Sequence, residues 1–153
     1  MKNQFVSKLH SSLMIGVVAI GALASASHAV GQDRTVQANV PFAFQNGSQH
    51  LPAGTYRIDV SSEHILLLRG TANHTAGVAM TNPEQRSKAI DKGQIVFRKY
   101  GDRYYLRAVW LPGSEVGRKC VMTSAEKREK QLQLAQNSVA PSNVEVALNA
   151  PAF

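Results

Sequence analysis

The segment from Gln94 to Leu111 constrains the fold more than any other part of the chain, because its turn residues and its hydrophobic pattern predict the same hairpin. A two-residue loop at Gly101-Asp102 needs a positive φ at its first position, which glycine supplies in a type II′ turn. With that loop, three pairs face each other on one side: Phe97 with Leu106, Ile95 with Ala108, and Lys99 with Tyr104. The predicted core residues of the hairpin are Ile95, Phe97, Leu106, Ala108 and Trp110.

Four further strands are predicted before this hairpin from runs of apolar residues and their alternation with polar ones. They cover residues 36 to 44, 56 to 60, 64 to 69 and 76 to 80. Because Pro41 cannot donate a ladder hydrogen bond, the first strand is expected to lie at an edge or to bend there. Consecutive leucines indicate that the third strand is covered on both faces. Asn82-Pro83 is expected to end the fourth strand, and residues 84 to 93 to form a charged loop.

The C-terminal part of the chain changes character after the hairpin. Residues 123 to 136 are predicted to form a helix, with Thr123 as its N-cap and Glu126 closing a capping box. The sequence leaves open whether this helix packs on its own sheet or on a partner. Residues 137 to 153 are predicted to be a flexible tail, with a strand at residues 144 to 148 as the alternative.

The first residues have the three-part pattern of a secretory signal peptide. Lys2 and Lys8 precede an apolar run from Leu13 to Leu23, and small residues follow it up to Ala29. The run is too short to span a bilayer core, which needs about 20 apolar helical residues. We therefore expect cleavage after Ala29, no stable membrane span afterwards, and export to the periplasm or the outside of the cell.

After the signal peptide, residues 1 to 29, the sequence indicates one domain followed by two short segments. The domain covers residues 30 to 122 and is predicted to be an antiparallel β-barrel or β-sandwich of about six strands, followed by the helix and the tail. Cys120 is the only cysteine, so packing must stabilise the fold without an internal disulfide. The full chain has a formal charge of +7, of which the signal peptide contributes two units, and this basic balance fits an anionic partner or simple solubility.

Several short motifs follow one another along the chain: Val40-Pro41-Phe42-Ala43-Phe44, Leu51-Pro52-Ala53-Gly54-Thr55-Tyr56, Phe97 with Tyr100-Gly101-Asp102 and Tyr105-Leu106, Val109-Trp110, and Ser124-Ala125-Glu126. With these motifs the chain resembles a group of small exported bacterial proteins of uncharacterised function. The resemblance covers most of the chain after the signal peptide. It implies export and a β-domain, and it supplies no catalytic residues.

The sequence contains no motif that is typical of an enzyme. A metalloprotease helix, a nucleophile elbow, a phosphate-binding glycine loop and paired metal-binding cysteines are all missing. The spacing of His50, His64 and His74 matches no compact metal site, so no metal and no cofactor are expected. These observations favour a protein without enzymatic activity.

The outer face of the hairpin carries the candidate site. The hairpin register places three arginines and two tyrosines on that face: Arg98, Tyr100, Arg103, Tyr105 and Arg107. Guanidinium groups bind phosphate or carboxylate through paired hydrogen bonds, and aromatic rings stack on sugars. The alternative interpretation is an ordinary solvated strand face.

Export and the missing catalytic motifs together favour a binding or structural module of the cell envelope. Its expected partner is an anionic envelope polymer or lipid, and export argues against nucleic acid. One alternative is a carrier that holds an apolar ligand inside the barrel, near Trp110. The other is a hydrolase of unrecognised type. The sequence does not indicate the oligomeric state.

Overall fold

A computed structural model describes residues 35–136 and 140–149. The signal peptide and the cleavage site predicted at Ala29 therefore lie outside the described residues. The described residues form ten strands and one helix. The strands are β1 (Thr35–Val40), β2 (Phe44–Asn46), β3 (Gln49–Leu51), β4 (Gly54–Asp59), β5 (Ile65–Gly70), β6 (Ala76–Gln85), β7 (Gln94–Tyr100), β8 (Arg103–Trp110), β9 (Val116–Cys120) and β10 (Ser142–Asn149). The helix, α1, spans Ser124–Ala135.

Eight of the strands close into an antiparallel barrel. Their order around the ring is β8, β7, β10, β1, β4, β5, β6 and β9, and β9 pairs again with β8. Every one of these neighbouring pairs is antiparallel. Within the described residues, closure gives each of these eight strands a ladder partner on both sides over at least part of its length. The structure thus confirms the antiparallel barrel and replaces the expected six or so strands with eight.

The first predicted strand bends at Pro41, which was one of the two alternatives expected for it. β1 ends at Val40, and the chain turns through Pro41 before β2 begins. The edge alternative is wrong, because β1 lies between β10 and β4 in the ring. β2 and β3 form a short hairpin beside the ring, and β2 makes one parallel pairing with β8.

The interior of the barrel is filled by side chains. Phe44, Tyr56 and Phe97 are each at most 1% exposed. The ring of Phe44 meets the other two edge-on, with centroid distances of 5.3 Å to Tyr56 and 5.0 Å to Phe97. An eight-stranded barrel is just wide enough for its inward side chains to fill it. The buried members of this core are Ala38, Val40, Phe44, Leu51, Tyr56, Ile58, Val60, Leu66, Leu68, Ala79, Ile95, Phe97, Leu106, Val109 and Cys120.

Two details of the middle strands differ from the sequence prediction. β5 buries Leu66 and Leu68 but leaves Ile65 half exposed, because a barrel strand has one wet face. β6 does not end at Asn82-Pro83 but continues to Gln85. β5 pairs only as far as Met80, so Pro83 lies where β6 has a ladder partner on one side, and such a position tolerates proline.

The last strand lies within the predicted tail. β10 fits between β1 and β7 and completes the ring. Its inward residues Val144, Val146 and Leu148 pack against the core. The tail prediction is therefore wrong for residues 142–149, and its alternative, a strand at residues 144 to 148, is confirmed. The rest of the predicted tail, apart from residues 140 and 141, lies outside the described residues.

The hairpin of β7 and β8 has the predicted turn. Tyr100 pairs with Arg103 across a two-residue loop, and Gly101 has a φ of +56°. Among the described non-glycine residues only His74 has a positive φ, so Asp102 has the negative φ that a type II′ turn needs at its second position. The pairs of Phe97 with Leu106 and of Lys99 with Tyr104 are also as predicted.

The register of this hairpin changes at a β-bulge beyond Phe97. Phe97 pairs with Leu106 but Val96 pairs with Ala108, so Arg107 is the extra residue on β8. Ile95 consequently pairs with Val109, and the predicted pairing with Ala108 is wrong. A bulge of this kind turns the following side chains to the other face of the strand.

The bulge divides the predicted hairpin core between the two faces. Ile95, Phe97 and Leu106 lie in the barrel interior. Ala108 and Trp110 are also buried, but they form a separate small cluster with Val96 that Ile90 covers. The prediction of burial is correct for all five residues, and the prediction of a single core is wrong.

The helix begins as the sequence indicates. Thr123 is the N-cap, and its hydroxyl accepts a hydrogen bond of 3.2 Å from the backbone N–H of Glu126. The described residues contain no helix that is long and apolar enough to cross a membrane.

Candidate anion-binding cleft

The structure places the five predicted site residues on the outer face of β7 and β8, but it divides them between two environments. Arg98 lies opposite Tyr105, and Tyr100 lies opposite Arg103. Helix α1 covers the part of this face nearest the turn, where both tyrosines are at most 5% exposed. The two phenol rings meet edge-on with a centroid distance of 5.6 Å. The two tyrosines are therefore not open to a ligand.

Polar contacts hold the helix on the hairpin. The Tyr100 hydroxyl donates a hydrogen bond of 3.3 Å to the Glu126 carboxylate, which is buried. The Arg103 guanidinium pairs with Glu129 at 2.8 Å. Because its carboxylate turns toward Tyr100, Glu126 does not close the predicted capping box. The helix docks on its own barrel, which answers the question that the sequence left open.

Burial raises the pKa of Glu126 above its ordinary value of 4.5, and the Tyr100 hydroxyl and nearby cations oppose the shift. The native state therefore holds this proton more tightly than the unfolded chain does. Protonation of Glu126 then stabilises the fold below pH 4.5, and this contribution is lost as the pH rises through the raised pKa. Burial likewise raises the pKa of Tyr100, with the Glu126 charge adding to it.

Glu126→Gln should flatten the pH dependence of stability, because the amide oxygen accepts the same hydrogen bond without a charge. The free energy of unfolding should then fall less between pH 4.5 and neutral pH, and at neutral pH it should exceed that of the wild type. Urea denaturation at a series of pH values measures both effects. Glu129→Gln is the matched control for removal of an acid from α1. If Glu129→Gln changed the pH dependence of the free energy of unfolding by the same amount, the burial of Glu126 could not be the cause of that dependence.

The other part of the outer face forms an open cleft, which we call the arginine cleft. Arg98 from β7 and Arg107 from the bulge of β8 line it together with Arg86, which follows β6. Its volume is about 290 Å³. The complete wall consists of Glu84, Gln85, Arg86, Val96, Arg98, Arg107, Ala108, Trp110 and Asn143. The bulge turns Ala108 and Trp110 to the outer face, where they join Arg107 in the wall.

Trp110 forms the apolar floor of the arginine cleft. The Arg86 guanidinium carbon lies 3.9 Å from the centroid of the indole ring, which is a cation–π contact. On the adjacent strand, a Cβ atom added to Gly117 would lie 2.5 Å from the ring. Gly117 is therefore required for Trp110 to lie flat on β9, and the ring in turn supports Arg86.

One acid partly neutralises the cleft. The Glu84 carboxylate lies 3.0 Å from the Lys119 ammonium and 3.7 Å from the Arg107 guanidinium. Among the residues that line the cleft, three arginines face this single carboxylate. The Nε atom of Arg98 is buried and has no hydrogen-bond partner within the described part of the chain. The wall thus carries excess positive charge, which suits an anion.

A second cleft continues from the first across the same two arginines. Its volume is about 390 Å³, and Arg98 and Arg107 line it together with Lys119 and Lys127. Val121 forms an apolar part of its wall. The Glu126 carboxylate also lines the second cleft. The two clefts share Arg98 and Arg107 and form a groove in which five basic side chains outnumber two acids, Glu84 and Glu126.

Sequence reasoning missed several residues of the cleft. Glu84 and Arg86 belong to the predicted charged loop, but β6 continues through Glu84 and Arg86 follows it directly. Asn143 belongs to β10, which was taken for tail, and Lys119 reaches the site only through the pairing of β9 with β6 and β8. Glu84, Gln85 and Arg86 are all polar and show no hydrophobic alternation, so no local pattern pointed to this wall.

The histidines considered for metal binding lie outside the two clefts, whereas Cys120 borders the second cleft and is buried. Among the described residues no three histidines, cysteines or acids come together in a geometry for a metal ion. The ring of His50 forms a hydrogen bond of 3.1 Å with Gln45. His74 lies in the loop after β5 with a φ of 52°. Burial raises the pKa of the Cys120 thiol to about 12, which keeps this group protonated and unreactive.

A second basic pair lies on another part of the barrel surface. Arg57 and Arg69 face each other on β4 and β5, next to Asp59. Both arginines are exposed, and the depression between them has a volume of about 220 Å³. Hydrogen bonds from Ser61, with a smaller contribution from Arg69, hold the pKa of Asp59 below its ordinary value. This pair carries the same two positive charges as Arg98 and Arg107, and no aromatic residue lines the depression.

Comparisons of the whole chain with models of protein families, with curated proteins and with solved structures found no match.

Proposed function

We propose that this protein is a non-enzymatic binding module of the cell envelope that holds an anionic ligand in the arginine cleft. The observation that carries this proposal is the convergence of Arg86, Arg98 and Arg107 on one cleft with a single acid in its wall. Export, on which the envelope location depends, is supported by the signal pattern of residues 1 to 29.

The chemistry of the cleft favours phosphate or carboxylate groups on an extended molecule. A guanidinium binds either group through two parallel hydrogen bonds. The continuation past Lys119 and Lys127 adds positive charge along the groove, so a ligand with repeated negative charges gains from each site. A flat sugar or headgroup would lie against Arg86, whose other face rests on Trp110.

The two alternative functions have less support. A carrier of apolar ligands needs space inside the barrel, where the ring of Phe44 contacts those of Tyr56 and Phe97. For a hydrolase, the described residues offer neither a metal-binding cluster nor an ionisable thiol. Neither alternative is favoured by a specific observation.

Retention on an immobilised polyanion tests the proposal. We expect the exported form, residues 30 to 153, to bind dextran sulfate and to elute at low salt from uncharged dextran. Arg98→Ala with Arg107→Ala should weaken binding about tenfold or more, because each charged hydrogen bond contributes about 1.5–3 kcal/mol. Isothermal titration with soluble dextran sulfate measures the affinity.

The matched control is Arg57→Ala with Arg69→Ala, which removes the same charge from another part of the barrel. This variant should lose little affinity if the cleft is the site. Equal losses in the two double variants would show that binding follows net charge alone and would overturn the proposal.

A further inference from the structure

Exposed apolar side chains gather on the outer face of β5 and β6. Met80 is 71% exposed, Val78 53% and Ile65 50%. Ile65 pairs with Met80, and Leu67 pairs with Val78, so these side chains lie next to one another on one face. We call them, together with Val121, the apolar strip. Such a cluster is costly in water and marks an interaction surface.

The apolar strip continues into the basic groove. The backbone N–H of Val121 donates a hydrogen bond of 2.9 Å to the carbonyl of Met80, and Val121 is 48% exposed. The same residue lines the second cleft beside Lys119 and Lys127. One side of the barrel therefore presents apolar side chains that lead directly to clustered cations.

From this continuity we propose that the protein docks on a surface of anionic phospholipid, with the apolar strip among the acyl chains and the arginine cleft on the phosphate groups. The inference rests on the proposed function, because it assigns lipid phosphate as the anion of the cleft. Apolar and basic groups side by side match the interface of a membrane, where phosphates lie just above hydrocarbon. A soluble polyanion would use the cations and leave the strip in water.

Vesicle binding tests the proposal with the exported form of the chain. It should sediment with vesicles made of roughly equal parts of phosphatidylglycerol and phosphatidylcholine, and remain in solution with phosphatidylcholine alone. Val78→Ser with Met80→Ser should weaken vesicle binding about tenfold or more and leave the affinity for soluble dextran sulfate unchanged. Arg98→Ala with Arg107→Ala should weaken both.

Insertion of the strip can be observed directly. Met80→Trp adds a fluorophore at the most exposed position, and brominated acyl chains should quench it when vesicles are present. Ala147→Trp, at an exposed position of β10 on another part of the barrel, is the control and should not be quenched. The native Trp110 is 2% exposed and contributes equally to the two variants, so the difference between them reports the added tryptophan.

The outcomes separate the two proposals. If the protein bound dextran sulfate but not vesicles, the lipid proposal would be wrong and the anion-binding proposal would be supported. Equal losses in the Arg57/Arg69 and Arg98/Arg107 variants on dextran sulfate would overturn the anion site itself. A native mass of two copies that the Val78→Ser, Met80→Ser variant reduces to one would assign the strip to a second copy of this chain and also overturn the lipid proposal.

Discussion

A chain that ends at Gln136 is expected to show no cooperative unfolding transition. The truncation removes β10, which pairs with β7 on one side and with β1 on the other. Loss of one strand from a closed ring opens two edges at once and removes Val144, Val146 and Leu148 from the core. A domain of this size has only about 5–15 kcal/mol of net stability to lose. Urea denaturation followed by near-ultraviolet circular dichroism measures the result.

Two neighbouring substitutions separate the effect of this strand from that of chain length. Val146→Asp places a carboxylate against the core and should cost more than about 3 kcal/mol. Ala147→Asp is exposed on the outer face and should change stability by less than about 0.5 kcal/mol. Similar stabilities for the two variants, or a cooperative transition in the truncated chain, would contradict the role of β10 as a barrel strand.

Trp110→Ala is expected to reduce the free energy of unfolding by about 3–5 kcal/mol. The indole is 2% exposed, although it lies on the outside of the barrel under Arg86 and the loop that carries Ile90. Its removal leaves a cavity between β8, β9 and that loop. Because Arg86 loses the ring that supports it, affinity for dextran sulfate should fall as well. Chemical denaturation and titration calorimetry measure the two effects.

Gly117→Ala provides the partner variant for Trp110. The added methyl group would lie 2.5 Å from the ring and should cost about 1–3 kcal/mol in the wild type. Once Trp110 is alanine, the same methyl group has room and should cost much less. A double-mutant cycle therefore predicts less than additive losses. Additive losses would show that Trp110 does not lie on Gly117.

Local sequence patterns predicted much of the barrel because they act over a few residues. The turn at Gly101-Asp102 depends on one glycine with a positive φ, and the N-cap depends on one hydroxyl at Thr123. Alternation located strands before the hairpin because a strand with one wet face repeats every two residues. Alternation does not indicate which strands pair, so the sequence could not predict the eight-stranded ring.

The errors arose where a distant contact decided the local outcome. β10 contains many small and polar residues. It forms a strand because it pairs with β1 on one side and with β7 on the other. The bulge at Arg107 allows Trp110 to pack over Gly117, a contact that no pattern within β8 contains. The candidate face was found in part: Arg98 and Arg107 line the cleft, whereas Tyr100 and Tyr105 lie under the helix.

The position of β10 also sets the order of events during synthesis. β1 is the first described strand to leave the ribosome and β10 is the last, yet the two are neighbours in the ring. The sheet can therefore begin to form from its middle, but it stays open on both sides until nearly the whole chain has been made. Pairing the two ends of a chain is slow, because a long loop must be closed before any contact compensates for it. Until β10 has been made, the edges of β1 and β7 that it covers have no partner, and proteins that bind unfolded chains can act during that interval.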